Sequence, residues 1–245
     1  MREKAIGLSA GWYLLLNGKR VDLDDWVRTL NEPFDPVAFR DEDDAAMLSS
    51  DEFLPLAAAV EVRRIGVALV ARLNGAMSVM HGADPVRLQN VVRVAPDGTR
   101  EVYNFAEANN TLGRCTASAT GTVSNADGTP VHVPPPTPSF AQTISELAEK
   151  DDQVDDLIRS LGRSDNWYDI YKTMEFAEAI VDGQRMLPEI LGTSAKAYKT
   201  MRQTANFHRH ARTPRPAVAT PFHDALPLLR FIVRSVLDWR MAQQP

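Results

Sequence analysis

Residues 125–138 include Pro130, Pro134, Pro135, Pro136 and Pro138, a density that regular secondary structure does not accommodate, because proline fixes φ and removes a backbone donor. Such a stretch favours a stiff extended tether. The chain is therefore expected to fall into three pieces: a domain over 1–124, a linker over 125–138 and a second domain over 139–245.

Charge divides along similar lines. The net charge of -5 is made of 13 basic against 18 acidic residues over 1–138, 5 against 12 over 139–192, and 9 against 2 over 193–245. The last fifth of the chain is thus a basic module at the end of an acidic protein.

The single cysteine, Cys115, excludes an intrachain disulfide and a four-cysteine zinc site, as expected in a reducing compartment. Arg2 and Lys4 precede an apolar run resembling a short secretion signal, but Asn17-Gly18-Lys19-Arg20 stands where a small-residue cleavage site belongs. The longest unbroken apolar run, 65–71, is far below the roughly 18 to 20 residues that span a bilayer. The reading is a cytoplasmic protein without a membrane partner.

The first part predicts mixed strands and helix. Segments 12–16 and 19–23 flank Asn17-Gly18 and read as a hairpin. The acidic stretch 41–51 reads as a connector. Ala58, Val62, Ile65, Leu69 and Leu73 recur at helical spacing, with Asn74-Gly75 as the stop. Segments 88–94 and 99–105 around Pro96-Asp97-Gly98 make a second hairpin, and a further strand is expected within 112–123.

Beyond the linker, four helical patterns follow at 140–161, 166–182, about 193–211 and 224–241, with Trp167 and Trp239 as buried anchors. The expected fold class is α+β, a mixed N-terminal half tethered to a C-terminal four-helix bundle.

The third of these helices carries the candidate chemistry. On a helical wheel Tyr198, Arg202, Asn206, Arg209 and His210 share one polar, cationic face, and Arg212 and Arg215 extend it. Ala197, Met201, Thr204, Ala205, His208 and Ala211 form the opposite stripe, expected in the core. Arginine offers bidentate donors to phosphate and histidine exchanges a proton near neutral pH, so the cationic face suits RNA or a nucleotide. The same residues can instead pair with Asp151, Asp152, Asp155 and Asp156 of the first bundle helix.

His208 and His210 point about 200° apart on a helix and cannot share a metal there. His81, His132 and His223 stand in loop-like or capping contexts. The run Asp41, Glu42, Asp43, Asp44 lacks the alternation and glycine of a calcium loop. No phosphate-binding glycine loop and no G-x-S-x-G elbow occurs. Neither a metal nor a cofactor is expected.

The run from Asn166 through Trp167, Tyr168, Asp169, Ile170 and Tyr171 to Lys172, together with Thr204-Ala205-Asn206, Arg209-His210 and Trp239, resembles a C-terminal helical domain found in many bacterial proteins without an assigned activity. The run from Arg202 to His208 is also similar to the R-x4-6-H motif of the HEPN superfamily. That second resemblance implies metal-independent RNA cleavage in a bacterial defence or stress system, often by a dimer. It would have Arg202 hold the scissile phosphate, His208 act as acid or base, and Asn206 orient them, while Tyr198, Arg209, His210, Arg212 and Arg215 are the binding residues that the cationic face and its extension offer in their own right. The alternative is a non-catalytic interaction module whose basic helix docks on an acidic protein partner.

Overall fold

Tyr13, Met47 and Val92 alternate along neighbouring strands with Leu14, Leu48 and Val91, and both sets are buried, the period-2 pattern of a sheet covered on both faces. The protein is described here from a computed structural model covering residues 8–105, 135–181, 183, 186–210, 216 and 218–243. In chain order its first part holds β1 (Gly11–Asn17), α1 (Arg20–Thr29), β2 (Val37–Arg40), β3 (Ala46–Ser49), α2 (Ala59–His81), β4 (Arg87–Val94) and β5 (Arg100–Asn104). The strands form one antiparallel sheet in the order β2-β3-β1-β4-β5. The described residues are thus α+β.

The hairpin 88–105 is observed, with Gly98 at φ 84 in its turn. The hairpin expected around Asn17-Gly18 is not: residues after Gly18 enter α1, because Leu23, Trp26 and Leu30 fall at helical spacing and all three are buried. Trp26 is wholly buried. The acidic stretch expected as a connector is a second hairpin, β2 to β3. Asp41 organises its turn by accepting the Asp43 and Ala45 amides at 3.0 and 2.9 Å, and Asp44 takes φ 63.

The helix expected to stop at Asn74-Gly75 runs on to His81 and ends at Gly82, whose φ of 67 makes it the left-handed cap. Asn74 is a buried clamp, donating to the Val86 carbonyl at 2.8 Å and accepting the Val86 amide at 2.7 Å. Gly66 lies over β1, where a Cβ would stand 2.7 Å from Leu14 Cδ1. Gly75 lies under the backbone of Ile158 in the same intimate way.

The C-terminal part comprises α3 (Phe140–Lys150), α4 (Asp152–Leu161), α5 (Trp167–Ile180), α6 (Leu187–Leu191), α7 (Ala195–Arg209) and α8 (Phe222–Ala242). Among the described residues six helices therefore stand where four were expected. The predicted helix 140–161 breaks at Asp151, which leaves helical φ/ψ and caps α4 by accepting the Gln153 and Val154 amides at 3.1 and 3.4 Å. Ile144, Leu157, Ile170, Met174, Leu229 and Val233 lie in one buried cluster among these helices. Trp167 and Trp239 pack against that cluster half-buried, short of the full burial expected.

The two parts meet along α2. Gln142 of α3 shares its amide hydrogens among the carbonyls of Asn31, Phe34 and Pro36, at 3.0, 2.8 and 3.2 Å. Arg72 of α2 donates to Asp155 of α4 at 3.0 Å, and Arg230 of α8 to Ser78 of α2 at 2.9 Å. The strand expected within 112–123, and residues 125–134 of the proline-rich linker, lie outside the described residues.

Candidate functional site

Asn166 starts α5 by accepting the Tyr168 and Asp169 amides on its side chain at 2.9 and 3.1 Å. The helix then presents Tyr171, Glu175 and Glu178 to α7. Glu178 is only 6% exposed, and its carboxylate accepts the Tyr198 hydroxyl, Arg202 Nε at 2.5 Å and Arg202 Nη2 at 3.1 Å. A carboxylate taken from water needs such satisfaction, and the guanidinium fork supplies charge and geometry together. Burial, and then the bond to Glu178, push the Tyr198 phenol above its ordinary range. The bond to Glu178 raises the Arg202 pKa as well.

One turn away, Arg209 donates to Glu175 at 3.0 Å and lies 4.3 Å from the Tyr171 ring centre, while Lys172 donates to Glu175 at 2.8 Å. Burial works against ionisation of Glu175, yet the bonds from Lys172 and Arg209 hold its pKa below the usual carboxylate value. Arg202 also lies over the Tyr171 ring, 5.4 Å from its centre.

The predicted catalytic residues occupy separate places on this seam. Arg202 is held at Glu178. His208 is exposed and stacks on Trp167 at 5.2 Å with 3° between the rings, with Phe207 edge-on at 5.2 Å. Glu178 and Trp167 are 11 residues apart on α5, about 16 Å at 1.5 Å per residue. Asn206 is half-buried and its carbonyl accepts the His210 amide at 3.1 Å, closing α7. Arg202 and His208 thus have different partners, the Glu178 carboxylate and the Trp167 ring.

Among the predicted binding residues, Tyr198 is buried rather than on an open polar face, Arg209 is engaged by Glu175, and His210 is exposed. Arg212 and Arg215 lie outside the described residues. His208, placed in the core by the ideal wheel, is at the surface, and so is Ala197. The wheel sorted residues by polarity, whereas the buried Glu178 turns Tyr198 and Arg202 inward together.

The pairing expected between this helix and Asp151 to Asp156 is also redirected. Asp151 pairs with Arg240 at 2.7 Å and Asp155 with Arg72 and Arg159, both at 3.0 Å, while Asp152 and Asp156 are exposed. The acidic counterpart of α7 is α5.

The motif residues mostly have structural tasks. Thr204 accepts the Thr220 amide at 3.0 Å and donates to the Thr200 carbonyl at 3.0 Å, and Ala205 is wholly buried. His81 bonds Thr29 at 3.0 Å, and His223 lies 3.3 Å from Asp224. His132 is outside the described residues.

Sequence reasoning missed a cleft of about 1340 Å³ at one end of the sheet, where the start of β1 meets the ends of β3 and β4. Trp12, Tyr13, Phe34, Phe39 and Phe53 line it with aromatic surface, and Glu32, Asp35 and Asp51 bring carboxylates. The Asp35 carboxylate is fixed by the Ser50 hydroxyl and the Asp51 amide, both at 2.9 Å. Burial raises its pKa above the ordinary aspartate value, against those two bonds. The one local signal was Glu32-Pro33-Phe34-Asp35-Pro36, a rigid acidic and aromatic loop between helix and strand.

Among the described residues no group of three or more His, Cys, Asp or Glu is placed to hold a metal ion, and no helix is long and apolar enough to cross a membrane. A scan against protein-family models found no match, and searches of curated proteins and of solved structures found none either.

Proposed function

We propose that this protein is a non-catalytic binding module and that the sheet-end cleft receives its partner. The observation that carries the reading is the cleft itself: a large open volume with an aromatic lining and a carboxylate already oriented by two donors. Concave, largely apolar surfaces with a few fixed polar groups are where proteins take ligands.

The competing reading is the metal-independent ribonuclease that the HEPN resemblance implies. It requires Arg202, Asn206 and His208 to act on one phosphate. Glu178 engages both Arg202 Nε and Nη2, and neutralises the charge a phosphate would meet. The basic helix is a weak candidate for docking on an acidic partner for the same reason.

A selection of random peptides on the full chain tests the proposal, with RNA cleavage by the same preparation measured in parallel. Enriched peptides should bind the parent protein and lose binding to Leu54→Lys, a change at an exposed rim position. RNA cleavage that disappears in both Arg202→Ala and His208→Ala, while both variants stay folded, would overturn the proposal in favour of the nuclease.

A further inference from the structure

The cleft exceeds the roughly 300 to 1,000 Å³ typical of sites for drug-sized molecules. At about 1340 Å³ it has room for several residues of chain. Its charge is unevenly placed. Glu32, Asp35 and Asp51 sit beside β2 and β3, whereas Arg93 lies on the β4 side, 5.4 Å from the Trp12 ring centre. Leu54, 77% exposed, adds apolar surface at the rim.

We propose that the occupant is a segment of a partner protein that combines lysine or arginine with apolar side chains. The proposal rests on the binding-module reading and adds the chemistry of the partner. Charge complementarity chooses the cation. Asp35 has about four lone-pair sites, and the Ser50 and Asp51 donors take two. The others accept an ammonium or guanidinium group, and the three carboxylates together repel an acidic segment. Half-buried Phe34 and Phe39 add aromatic surface to the same side of the cleft. A cation beside Asp35 also offsets the partial desolvation of that carboxylate and its repulsion by Asp51.

The test uses the full chain and two labelled decapeptides, one alternating lysine with leucine and one alternating glutamate with leucine, read by fluorescence anisotropy. The lysine peptide should bind at least about tenfold more tightly, and its affinity should fall as salt rises. Glu32→Lys with Asp51→Lys, both at exposed positions, should remove that preference while the thermal unfolding temperature stays within a few degrees. Equal binding of the two peptides would overturn the cationic partner and leave the binding module standing. Unchanged preference in the double variant would place the binding outside the cleft and overturn the assignment. Competition by spermidine as effective as by the peptide would overturn the peptide and leave a small organic cation. RNA cleavage dependent on Arg202 and His208 is the separate result that removes the binding module.

Discussion

The amide nitrogen of Gly75 lies 2.9 Å from where a Cβ on Gly162 would stand. The same Cβ would come 2.6 Å from the Ala71 carbonyl oxygen, and a Cβ on Gly75 would run into the Ile158 carbonyl. Two glycines thus let α2 and the end of α4 approach at backbone distance, joining the sheet-bearing part to the helical part. Alanine is favoured over glycine within a helix by about 1 kcal/mol, but here the obstacles are backbone atoms that cannot rotate away. Gly75→Ala and Gly162→Ala should each lower stability by about 2 kcal/mol, within the range of overpacking. Urea unfolding checks this, and a raised midpoint would show that the crossing is looser.

Arg72 supplies the charged counterpart of that joint. Its guanidinium faces Asp155 at 3.0 Å and Glu52, Glu149 and Ser145 at 3.4 Å, with Arg159 on the far side of Asp155. Burial raises the carboxyl pKa values of both Glu52 and Glu149, with Arg72 pulling the other way. Between the ordinary glutamate pKa near 4.3 and the raised values, the folded chain holds protons that the unfolded chain has released. These two groups therefore favour the folded state at acidic pH and lose that contribution as pH rises through the window. Glu52→Gln with Glu149→Gln should flatten the fall of thermal stability over that interval. Asp22 and Asp35 are shifted in the same direction and remain in the variant, so part of the slope persists. An unchanged slope in the double variant would show that the cluster does not titrate on unfolding.

Local signals were legible where a residue's own chemistry decided the backbone. Gly98 announced the β4 to β5 turn, and Asn166 announced the start of α5. They misled where tertiary packing chose otherwise. Asn17-Gly18 resembles a hairpin turn, yet burial of Leu23, Trp26 and Leu30 makes the next segment helical. Asn74-Gly75 resembles a helix stop, but Asn74 clamps Val86 and Gly75 admits Ile158. The cationic face of α7 was visible as a pattern, whereas Glu178, the residue that turns it inward, lies 24 positions before Arg202. The cleft draws its lining from segments around residues 12, 35, 51 and 93. Only the folded sheet brings these together, so the loop from Glu32 to Pro36 is the one local mark of the site.

Arg202 and Glu178 provide the sharpest test, because a catalytic and a structural arginine respond in opposite ways. Removing one partner of a buried, hydrogen-bonded ion pair leaves the other charge uncompensated and costs about 3 to 5 kcal/mol. Arg202 is 22% exposed and Tyr198 still donates to Glu178, which places Arg202→Ala near the lower end, at about 3 kcal/mol. Replacing the pair together, Arg202→Met with Glu178→Leu, exchanges two charges for apolar groups of similar size and should recover most of that loss. A double-mutant cycle read by thermal unfolding would then give strong coupling between the two positions. His208→Ala removes only the exposed ring stacked on Trp167 and should cost no more than about 1 kcal/mol. An arginine kept for a phosphate predicts the reverse: Arg202→Ala would leave the unfolding temperature unchanged, coupling to Glu178 would vanish, and Arg202 and His208 would fail together in RNA cleavage.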